Sequence, residues 1–190
     1  MKNNIITAGV DEVGRGCLAG PVVSAAVILN DKINLEIIKD SKKINFHNRL
    51  KIAEIIKQNS YYAIGTASVE EIFEINILQA ALLSMKRAID KLEKKPSQIL
   101  IDGPFAPKGL KNYKTIIKGD EKIKCIGAAS IIAKTYRDSL MIKLSEKFTH
   151  YTWERNFGYG TKAHMKGLKK FGINSHHRKG FKPIYNMLLK

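Results

Sequence analysis

The feature that most constrains this chain is the segment Gly9–Pro21, which reads GVDEVGRGCLAGP. Two adjacent carboxylates, Asp11 and Glu12, end a short apolar run, and a glycine-rich loop then leads into a second apolar run, Val22–Leu29. This pattern predicts a strand, an acidic tip, a tight turn and a second strand. Because glycine lets a backbone approach a ligand closely, the loop fits a ligand-binding site, and a charged hairpin turn is the alternative.

Two further acidic residues follow predicted strands. The apolar run Ile99–Ile101 precedes Asp102, and the predicted strand Tyr113–Ile117 is soon followed by Asp120, each acid standing next to a glycine. A single acidic residue at a strand end is usually a turn residue or a helix cap. Three acidic strand ends in one chain are harder to explain in that way, so we expect the acids to form one site.

Most of the positive charge lies in the second part of the chain. Residues 1–107 contain 14 Lys and Arg against 12 Asp and Glu, whereas residues 108–190 contain 19 against 5, in a chain of net charge +16. Such asymmetry is typical of a protein that binds a polyanion. The lysines are spread over predicted helices and loops and do not form one amphipathic face, which favours nucleic acid over an anionic membrane surface.

Clustered carboxylates in a protein with a basic surface indicate metal-assisted phosphoryl transfer. Carboxylates that lie close together repel one another unless a cation neutralises them. Hard divalent ions prefer oxygen ligands, so a set of acids without Cys or His favours Mg²⁺ or Mn²⁺ over zinc. Two such ions about 3.5–4 Å apart can hold the attacking water and the leaving oxygen. We therefore predict a catalytic metal site of Mg²⁺ or Mn²⁺, two ions during catalysis, with these ligands: Asp11, Glu12, Asp102 and Asp120.

The rest of the pattern predicts an α/β chain of 190 residues that folds as a single domain, 1–190. Asn45 is expected to cap a helix that ends near Asn59, and Ser68 with Glu71 forms a capping box before the next helix. In that helix Asn76 either caps the long apolar part or points into a cleft. A further long helix is expected over residues 126–148, with a buried face that contains Ile132, Tyr136 and Leu140.

The chain shows neither a signal peptide nor an apolar run long enough to span a membrane, so we expect a cytoplasmic protein without a membrane partner. Its two cysteines, Cys17 and Cys125, are too few for a disulfide framework and are expected to be small, partly buried residues. The adjacent pair His176 and His177 has no carboxylate near it in sequence and is not expected to bind a metal.

Several blocks of sequence closely resemble the ribonuclease HII family. They occur in the order of that family and extend from Gly9 to Phe181. Ribonuclease HIII, the nearest relative, usually lacks arginine between the glycines and carries an extra N-terminal domain, so the resemblance to HII is the better one. The blocks are GVDEVGRG from Gly9, DSKK from Asp40, IDG from Ile101, KGD from Lys118, AASIIAK from Ala128 with Arg137-Asp138, and GYGT from Gly158 with His177-Arg178.

The resemblance implies a ribonuclease H-like α/β fold, with a five-stranded mixed sheet flanked by helices and a small C-terminal helical region. Residues ~150–190 would form a basic helical extension that binds substrate. The implied activity is hydrolysis of RNA in RNA–DNA hybrids, and nicking on the 5′ side of single ribonucleotides in duplex DNA during replication and repair. The products carry 3′-hydroxyl and 5′-phosphate ends. The implied partners are these two nucleic acids, and we expect a monomer.

The resemblance also implies roles for individual residues. The four predicted ligands match the acidic metal ligands of the family. The loop Gly14, Arg15 and Gly16 matches the loop that contacts the 2′-hydroxyl at the RNA–DNA junction, and Tyr159 matches a tyrosine that stacks on the sugar of the following deoxynucleotide. The 2′-hydroxyl is the group that distinguishes a ribonucleotide from a deoxynucleotide in such a duplex, so a close backbone and a bulky ring are suited to detect it.

Other candidate substrate-binding residues keep two interpretations. Ser41, Lys42 and Lys43 in the DSKK block fit either a phosphate contact or a solvated loop. By resemblance, Ser130 and Lys134 help to hold the scissile region or the DNA backbone. Lys134 also stands four residues before Asp138, the spacing of an ordinary helical ion pair.

Two positions depart from the family pattern. Phe157 stands where a lysine is common, which weakens the expectation of a backbone contact there, and Cys17 replaces a frequent proline. Two other functions remain as alternatives. A non-catalytic basic nucleic-acid-binding module would bind equally well in chelator, and another metal nuclease of related fold would cut all-DNA junctions.

Overall fold

A computed structural model of the chain describes residues 5–30 and 45–189. Five strands form one sheet: β1 (Thr7–Val13), β2 (Val22–Leu29), β3 (Ser60–Ala67), β4 (Gln98–Asp102) and β5 (Tyr113–Ile116). Their order in the sheet is β3-β2-β1-β4-β5. Strands β1, β2 and β3 are antiparallel neighbours, whereas β4 and β5 run parallel to β1. The predicted five-stranded mixed sheet is therefore confirmed.

Helices flank the sheet and build the C-terminal region, as the α/β fold class requires. No helix in the described part of the chain combines the length and apolar character needed to cross a membrane. The helices are α1 (Phe46–Gln58), α2 (Val69–Asp90), α3 (Gly119–Lys122), α4 (Lys124–Lys147), α5 (Trp153–Asn156), α6 (Lys162–Phe171) and α7 (Lys182–Leu188), with a 3₁₀ turn at Thr149–Tyr151.

Helix α4 lies very close to one face of the sheet. Gly9 in β1 makes this approach possible, because a Cβ at that position would overlap the backbone of Cys125. The small residues of α4, such as Ala128 and Ala129, pack with Val23 of β2 in the same buried cluster. A glycine in a strand often marks such a close approach of another backbone.

Helix α2 covers the opposite face of the sheet. Val10 of β1 and Ile101 of β4 pack there against Met85 and Ile89 of the helix. Since successive side chains of a strand point to opposite faces, Val10 faces α2 and its neighbour Asp11 faces α4. This alternation directs one carboxylate toward the helix that also carries Ser130.

The helix starts agree with the predicted caps. The Asn45 side chain accepts a hydrogen bond from the backbone of Asn48 at 2.9 Å, and Ser68 and Glu71 form the complete capping box. Asn76 interrupts α2 with a positive φ of 65°. Its side chain accepts hydrogen bonds from the backbone of the two residues that begin the next turn, Leu78 and Gln79. Asn76 is therefore a cap inside the helix.

The C-terminal elements have their own apolar cluster, beside the end of α4. Trp153 and Ile184 are fully buried in it, and Leu18 from the loop after β1 packs in the same cluster. Leu18 thus connects the glycine-rich loop to the C-terminal region. This connection brings residues from opposite ends of the sequence to one edge of the sheet.

Candidate active site

The predicted acidic residues lie at the carboxyl ends of neighbouring parallel strands. Strand β1 pairs with β4 so that Val10 is opposite Ile101, which makes Asp11 and Asp102 the next residues toward the same edge. Strand β5 ends at that edge too, and Asp120 follows it in the first turn of α3. Ligands of open α/β sheets commonly bind outside the carboxyl ends of the strands. The sheet topology therefore collects the predicted acids at one edge.

Asp11 and Glu12 belong to the strand and do not form a tip beyond it. The sequence pattern ended the apolar run at Val10, but β1 continues to Val13, because the antiparallel pairing with β2 continues to that residue. Both carboxylates are consequently held by a regular ladder.

Burial dominates the electrostatics of this pair. Only 5% of Asp11 is exposed, and burial, followed by the charge of Glu12, raises its pKa well above the ordinary value. A hydrogen bond from Ser130 and the backbone N–H of Glu12 at 2.7 Å act in the opposite direction. Burial also raises the pKa of Glu12, and its ion pair with Arg15 at 3.1 Å opposes that rise. Asp102 adds a repulsive charge to both carboxylates.

Asp102 joins strand β4 to the short helix α3. One of its carboxylate oxygens accepts the backbone N–H of Gly119 at 2.6 Å and that of Asp120 at 3.4 Å. The chain reaches this position through Lys118, which adopts a left-handed conformation with φ of 55°. Asp102 thereby fixes the place of the fourth predicted acid.

The donor set fits a hard divalent cation, although the side chains are engaged elsewhere. Within residues 5–30 and 45–189, no three His, Cys, Asp or Glu side chains are arranged to hold a metal ion. Glu12 is turned toward Arg15, and Asp102 toward Gly119. The second oxygen of Glu12 is buried without a hydrogen-bond partner, which is costly unless a cation or donor reaches it. Carboxylate oxygens alone favour Mg²⁺ or Mn²⁺.

Arg137 of α4 holds the loop after β1 through hydrogen bonds to its backbone. This side chain is fully buried, and its guanidinium donates hydrogen bonds to three carbonyls, those of Ala19 at 2.9 Å, Pro21 at 2.9 Å and Phe157 at 2.8 Å. Gly14 has a φ of 93° and lies directly against the guanidinium. Arg137 therefore ties the glycine loop to the loop that carries Tyr159.

A second buried guanidinium, that of Arg178, also holds this loop. Arg178 is 1% exposed and donates to the carbonyl of Arg15 at 2.9 Å and to that of Gly20 at 2.9 Å. Burial and the nearby charge of Arg137 lower the pKa of Arg178 to about 10. Burying two cations beside one short loop costs free energy unless each is hydrogen-bonded. The carbonyls that accept these hydrogen bonds must therefore keep a defined geometry.

Tyr159 lies beside the glycine loop, near Gly16. Its ring would be 3.8 Å from a Cβ at Gly16, and the residue remains 42% exposed. Burial of the rest of the ring, with Cys17 next to the hydroxyl, raises the pKa of Tyr159. A half-exposed ring and an uncovered glycine backbone thus form one continuous surface next to the acids.

The remaining predicted substrate contacts differ in their surroundings. Ser130 hydrogen-bonds Asp11, so it lies at the acidic edge. Lys134 forms an ion pair with the fully buried Asp138, which also accepts from Arg49 at 3.0 Å, so the helical ion pair is present. The ammonium of Lys134 also lies 4.6 Å above the ring of Phe157. Ser41, Lys42 and Lys43 lie outside the described residues.

Sequence reasoning did not give Arg137 and Arg178 a role, although both stand in the blocks quoted above. The signal that was available is the position of Arg137 among apolar residues of a helix. The predicted buried face contained Tyr136, but 42% of Tyr136 is exposed and Arg137 is buried in its place. The predicted core position was wrong by one residue, because the three carbonyl acceptors compensate the burial of a charged side chain.

Solved structures share this fold. A crystal structure of ribonuclease H2 from Pyrococcus horikoshii OT3 matches 95% of this chain and 96% of its own, with a TM-score of 0.79 and 25% sequence identity. Ribonuclease HII of Archaeoglobus fulgidus, in a structure of its complex with PCNA, matches 93% of this chain and 95% of its own, with a TM-score of 0.75 and 28% identity. Fold and acidic edge together define an enzyme of the ribonuclease H class.

Sequence comparison narrows the class to one family. The family model of Ribonuclease HII matches residues 8–184. Ribonuclease HII of Pelagibacter ubique is 57% identical over 185 residues, covering 96% of this chain and 99% of the relative. Ribonuclease HII of Macrococcus caseolyticus is 50% identical over 186 residues, covering 98% of this chain and 70% of the relative. The chain belongs to the ribonuclease HII family, whose members are hydrolytic endonucleases, and the resemblance stated above is confirmed.

Proposed function

We propose that the chain is a divalent-metal-dependent endoribonuclease. It hydrolyses the RNA strand of RNA–DNA hybrids and nicks duplex DNA on the 5′ side of a single ribonucleotide, leaving 3′-hydroxyl and 5′-phosphate ends. Its role is removal of ribonucleotides during replication and repair. The supporting observation is the adjacency of the acidic strand ends to the loop Gly14–Gly16 and Tyr159.

Asp11, Glu12, Asp102 and Asp120 would hold the ions. A bound pair of Mg²⁺ or Mn²⁺ ions would supply an activated water and stabilise the leaving oxygen. The chain contributes a rigid frame, since the pairing of β1 with β2 and β4 holds three of the acids along adjacent strands. Ser130 of α4 lies close enough to Asp11 to lower the pKa of that carboxyl, against the effect of burial.

Substrate selection rests on the surface next to the acids. The loop Gly14–Gly16 presents backbone groups that a sugar can approach. Arg178 donates to the carbonyl of Arg15 within it, and Arg137 donates to the carbonyl of Ala19 a few residues later. Tyr159 projects from the adjoining loop, where its exposed ring face suits the sugar of a deoxynucleotide. A 2′-hydroxyl on that sugar would be desolvated against the ring, which disfavours a ribonucleotide there.

The C-terminal region, residues ~150–190 of a single domain 1–190, would hold the duplex. Helix α6 exposes Lys162, Lys166, Lys169 and Lys170, which can neutralise phosphates without reading sequence. Lys134 would add a further backbone contact near the acids. We propose that a monomer acts in the cytoplasm on RNA–DNA hybrid and on ribonucleotide-containing duplex DNA.

The experiment that tests the function uses three labelled duplexes: DNA with one ribonucleotide, all-DNA, and an RNA–DNA hybrid. Each is incubated with the enzyme in Mg²⁺, in Mn²⁺ and in excess chelator. Asp11→Asn is compared with Asp90→Asn, because Asp90 is an exposed carboxylate paired with Lys86 on the surface of α2. We expect a metal-dependent nick 5′ of the ribonucleotide and hydrolysis of the hybrid, no cut in all-DNA, and loss of both activities in Asp11→Asn only.

Three results would contradict the proposal. Binding that persists in chelator with no cleavage in either metal would indicate a non-catalytic binding module. Cleavage of the all-DNA duplex would indicate a metal nuclease of different specificity. Hydrolysis of the hybrid without a nick at the single ribonucleotide would remove the junction-specific part and leave the ribonuclease H activity.

A further inference from the structure

Behind Tyr159 lies a hydrogen-bonded group of three buried rings, Trp153, His164 and His177. All three are fully buried. The indole nitrogen of Trp153 lies 3.1 Å from Nε2 of His164, and the Nε2 atoms of the two histidines are also 3.1 Å apart. The mechanism proposed above uses none of these rings directly.

The contacts determine which ring nitrogens of the group carry a proton and which accept one. The Trp153 indole can only donate, so Nε2 of His164 is an acceptor. Nε2 of His177 faces that acceptor and must carry a proton, while Nδ1 of His177 accepts the backbone N–H of Asn174 at 3.0 Å. The remaining proton of His164 therefore sits on Nδ1, which donates to the backbone carbonyl of Tyr159 at 2.9 Å. Both imidazoles are neutral.

The loop that receives this hydrogen bond needs external support. Phe157 has a φ of 48° and Gly158 has a φ of 86°, so the two residues before Tyr159 are both in the left-handed region. Such a conformation is unfavourable for a phenylalanine and persists only when the surroundings hold it. Tyr159 itself donates its backbone N–H to the carbonyl of Asn156 at 2.8 Å. Its carbonyl accepts from the backbone N–H of Thr161 at 2.8 Å and from His164 at 2.9 Å, which is the one side-chain hydrogen bond to this backbone unit among the described residues.

We propose that His164 is a positioning residue for junction recognition: its Nδ1–H holds the backbone of Tyr159 so that the ring faces the loop Gly14–Gly16. The inference rests on the proposed function, because it gives a consequence only if Tyr159 contacts the substrate. His177 and Trp153 act through His164, since they occupy its Nε2 and leave Nδ1 as the protonated nitrogen.

Two conservative substitutions separate the contact with Tyr159 from the contacts with the buried rings. In His164→Gln the amide lies near the position of Nε2, so it can face Trp153 and His177 but has no donor at the position of Nδ1. In His164→Asn the shorter amide lies near the position of Nδ1 and can donate to the Tyr159 carbonyl, but it leaves Nε2 unreplaced. Trp153→Phe is a third variant, which removes one ring contact and keeps the bond to Tyr159.

The measurement is the ratio of kcat/KM for DNA with one ribonucleotide to kcat/KM for an RNA–DNA hybrid of several ribonucleotides. We expect His164→Gln to lower this ratio about tenfold, the effect of a misplacement below 1 Å at a positioned group. We expect His164→Asn and Trp153→Phe to keep the ratio within about twofold, even where thermal unfolding shows that they are less stable. A structural role alone would lower both rates together and leave the ratio unchanged.

The outcomes separate this inference from the proposed function. Tyr159→Ala is measured in parallel. If it leaves the ratio unchanged, Tyr159 does not recognise the junction. In that case the proposed role of Tyr159 and this inference both fail. If Tyr159→Ala lowers the ratio but His164→Gln does not, or if His164→Asn lowers it equally, the inference is overturned and the function stands. Long-range ¹H–¹⁵N spectra of the wild-type histidines test the assignment without any variant, because a proton on Nε2 of His164 would overturn it.

Discussion

The backbone of Gly14 lies directly on the guanidinium of Arg137. A Cβ at Gly14 would overlap the Nε atom of that side chain, and Gly14 also has a positive φ of 93°. The glycine is therefore required twice, once by conformation and once by the buried cation beneath it. Arg137 thus fills the space on one side of the glycine loop, so a side chain at Gly14 has no room there.

The two glycines of the loop should respond differently to alanine. Gly14→Ala should lower the free energy of unfolding by about 2–4 kcal/mol, because it combines a left-handed alanine with an overlap against Arg137. Gly16→Ala should change stability by less than about 1 kcal/mol, since its Cβ would meet only the Tyr159 ring, at 3.8 Å. Urea unfolding of both variants measures the difference.

In cleavage assays, Gly16→Ala should lose activity although it is about as stable as the wild type. Its methyl group would stand on the substrate side of the loop, so we expect Gly16→Ala to lose nicking activity while it unfolds at the wild-type urea concentration. Equal stability losses in the two variants would contradict the asymmetry of the two faces of the loop.

Arg137 should not be replaceable by lysine. Arg137→Lys keeps the charge but cannot donate to three carbonyls in a fixed geometry, so the acceptors of Ala19, Pro21 and Phe157 would be left partly unpaired. We expect a loss of about 2–3 kcal/mol in the free energy of unfolding and reduced cleavage of every substrate. The control is Arg155→Lys in the adjacent helix α5. The Arg155 side chain is 88% exposed, so this variant should behave as wild type.

Asp11 and Asp138 are both buried carboxylates, and their amide variants should shift stability in opposite directions. Asp11→Asn removes a charge that two neighbouring carboxylates repel, so we expect the metal-free protein to gain about 1 kcal/mol and to lose cleavage. Asp138→Asn removes the partner of Arg49 and Lys134 and should cost about 3 kcal/mol or more.

Thermal unfolding with and without Mg²⁺ or Mn²⁺ extends the comparison. Added metal should raise the midpoint of the wild-type protein and of Asp138→Asn, but not that of Asp11→Asn, because binding stabilises only a protein that retains the ligands. A metal-dependent rise of the same size in Asp11→Asn would show that Asp11 is not a ligand.

Much of the fold was readable from local sequence signals. The start of α1 at Asn45 and the capping box at Ser68 depend on residues within a few positions of each other, and both were predicted correctly. The strand before Asp102 was predicted for the same reason, as a short apolar run followed by a turn. Such features need no knowledge of distant contacts, so sequence alone specifies them.

The support of the site could not be read in that way. Arg137 and Arg178 contact carbonyls of residues 15–21, which are more than a hundred positions away in the chain. Every residue has a backbone carbonyl, so the residue types in the sequence do not show which carbonyls will accept these hydrogen bonds. The histidine contact with Tyr159 was missed for the same reason, because the acceptor is again a backbone oxygen.

Acid should destabilise the protein through His177. Burial, reinforced by the neighbouring His164, lowers the pKa of His177 to about 4, whereas an unfolded histidine has a pKa of about 6.5. The unfolded chain therefore binds a proton in this window and the folded chain does not, so this contribution is complete above about pH 6.5 and is lost as the pH falls toward 4. The loss amounts to about 3 kcal/mol at most.

The comparison with His177→Gln isolates this contribution from the acidic residues. Asp11 and Glu12 have raised pKa values, so in the same window they stabilise the folded state as the pH falls, with the opposite sign. Glutamine can keep the donor toward His164 but does not titrate. The free energy of unfolding of both proteins is measured at pH 7.5 and at pH 5. Its decrease between these pH values should be larger in the wild type by about 1–2 kcal/mol. Parallel pH profiles would contradict the prediction, because they would mean that His177 titrates alike in the folded and unfolded chains.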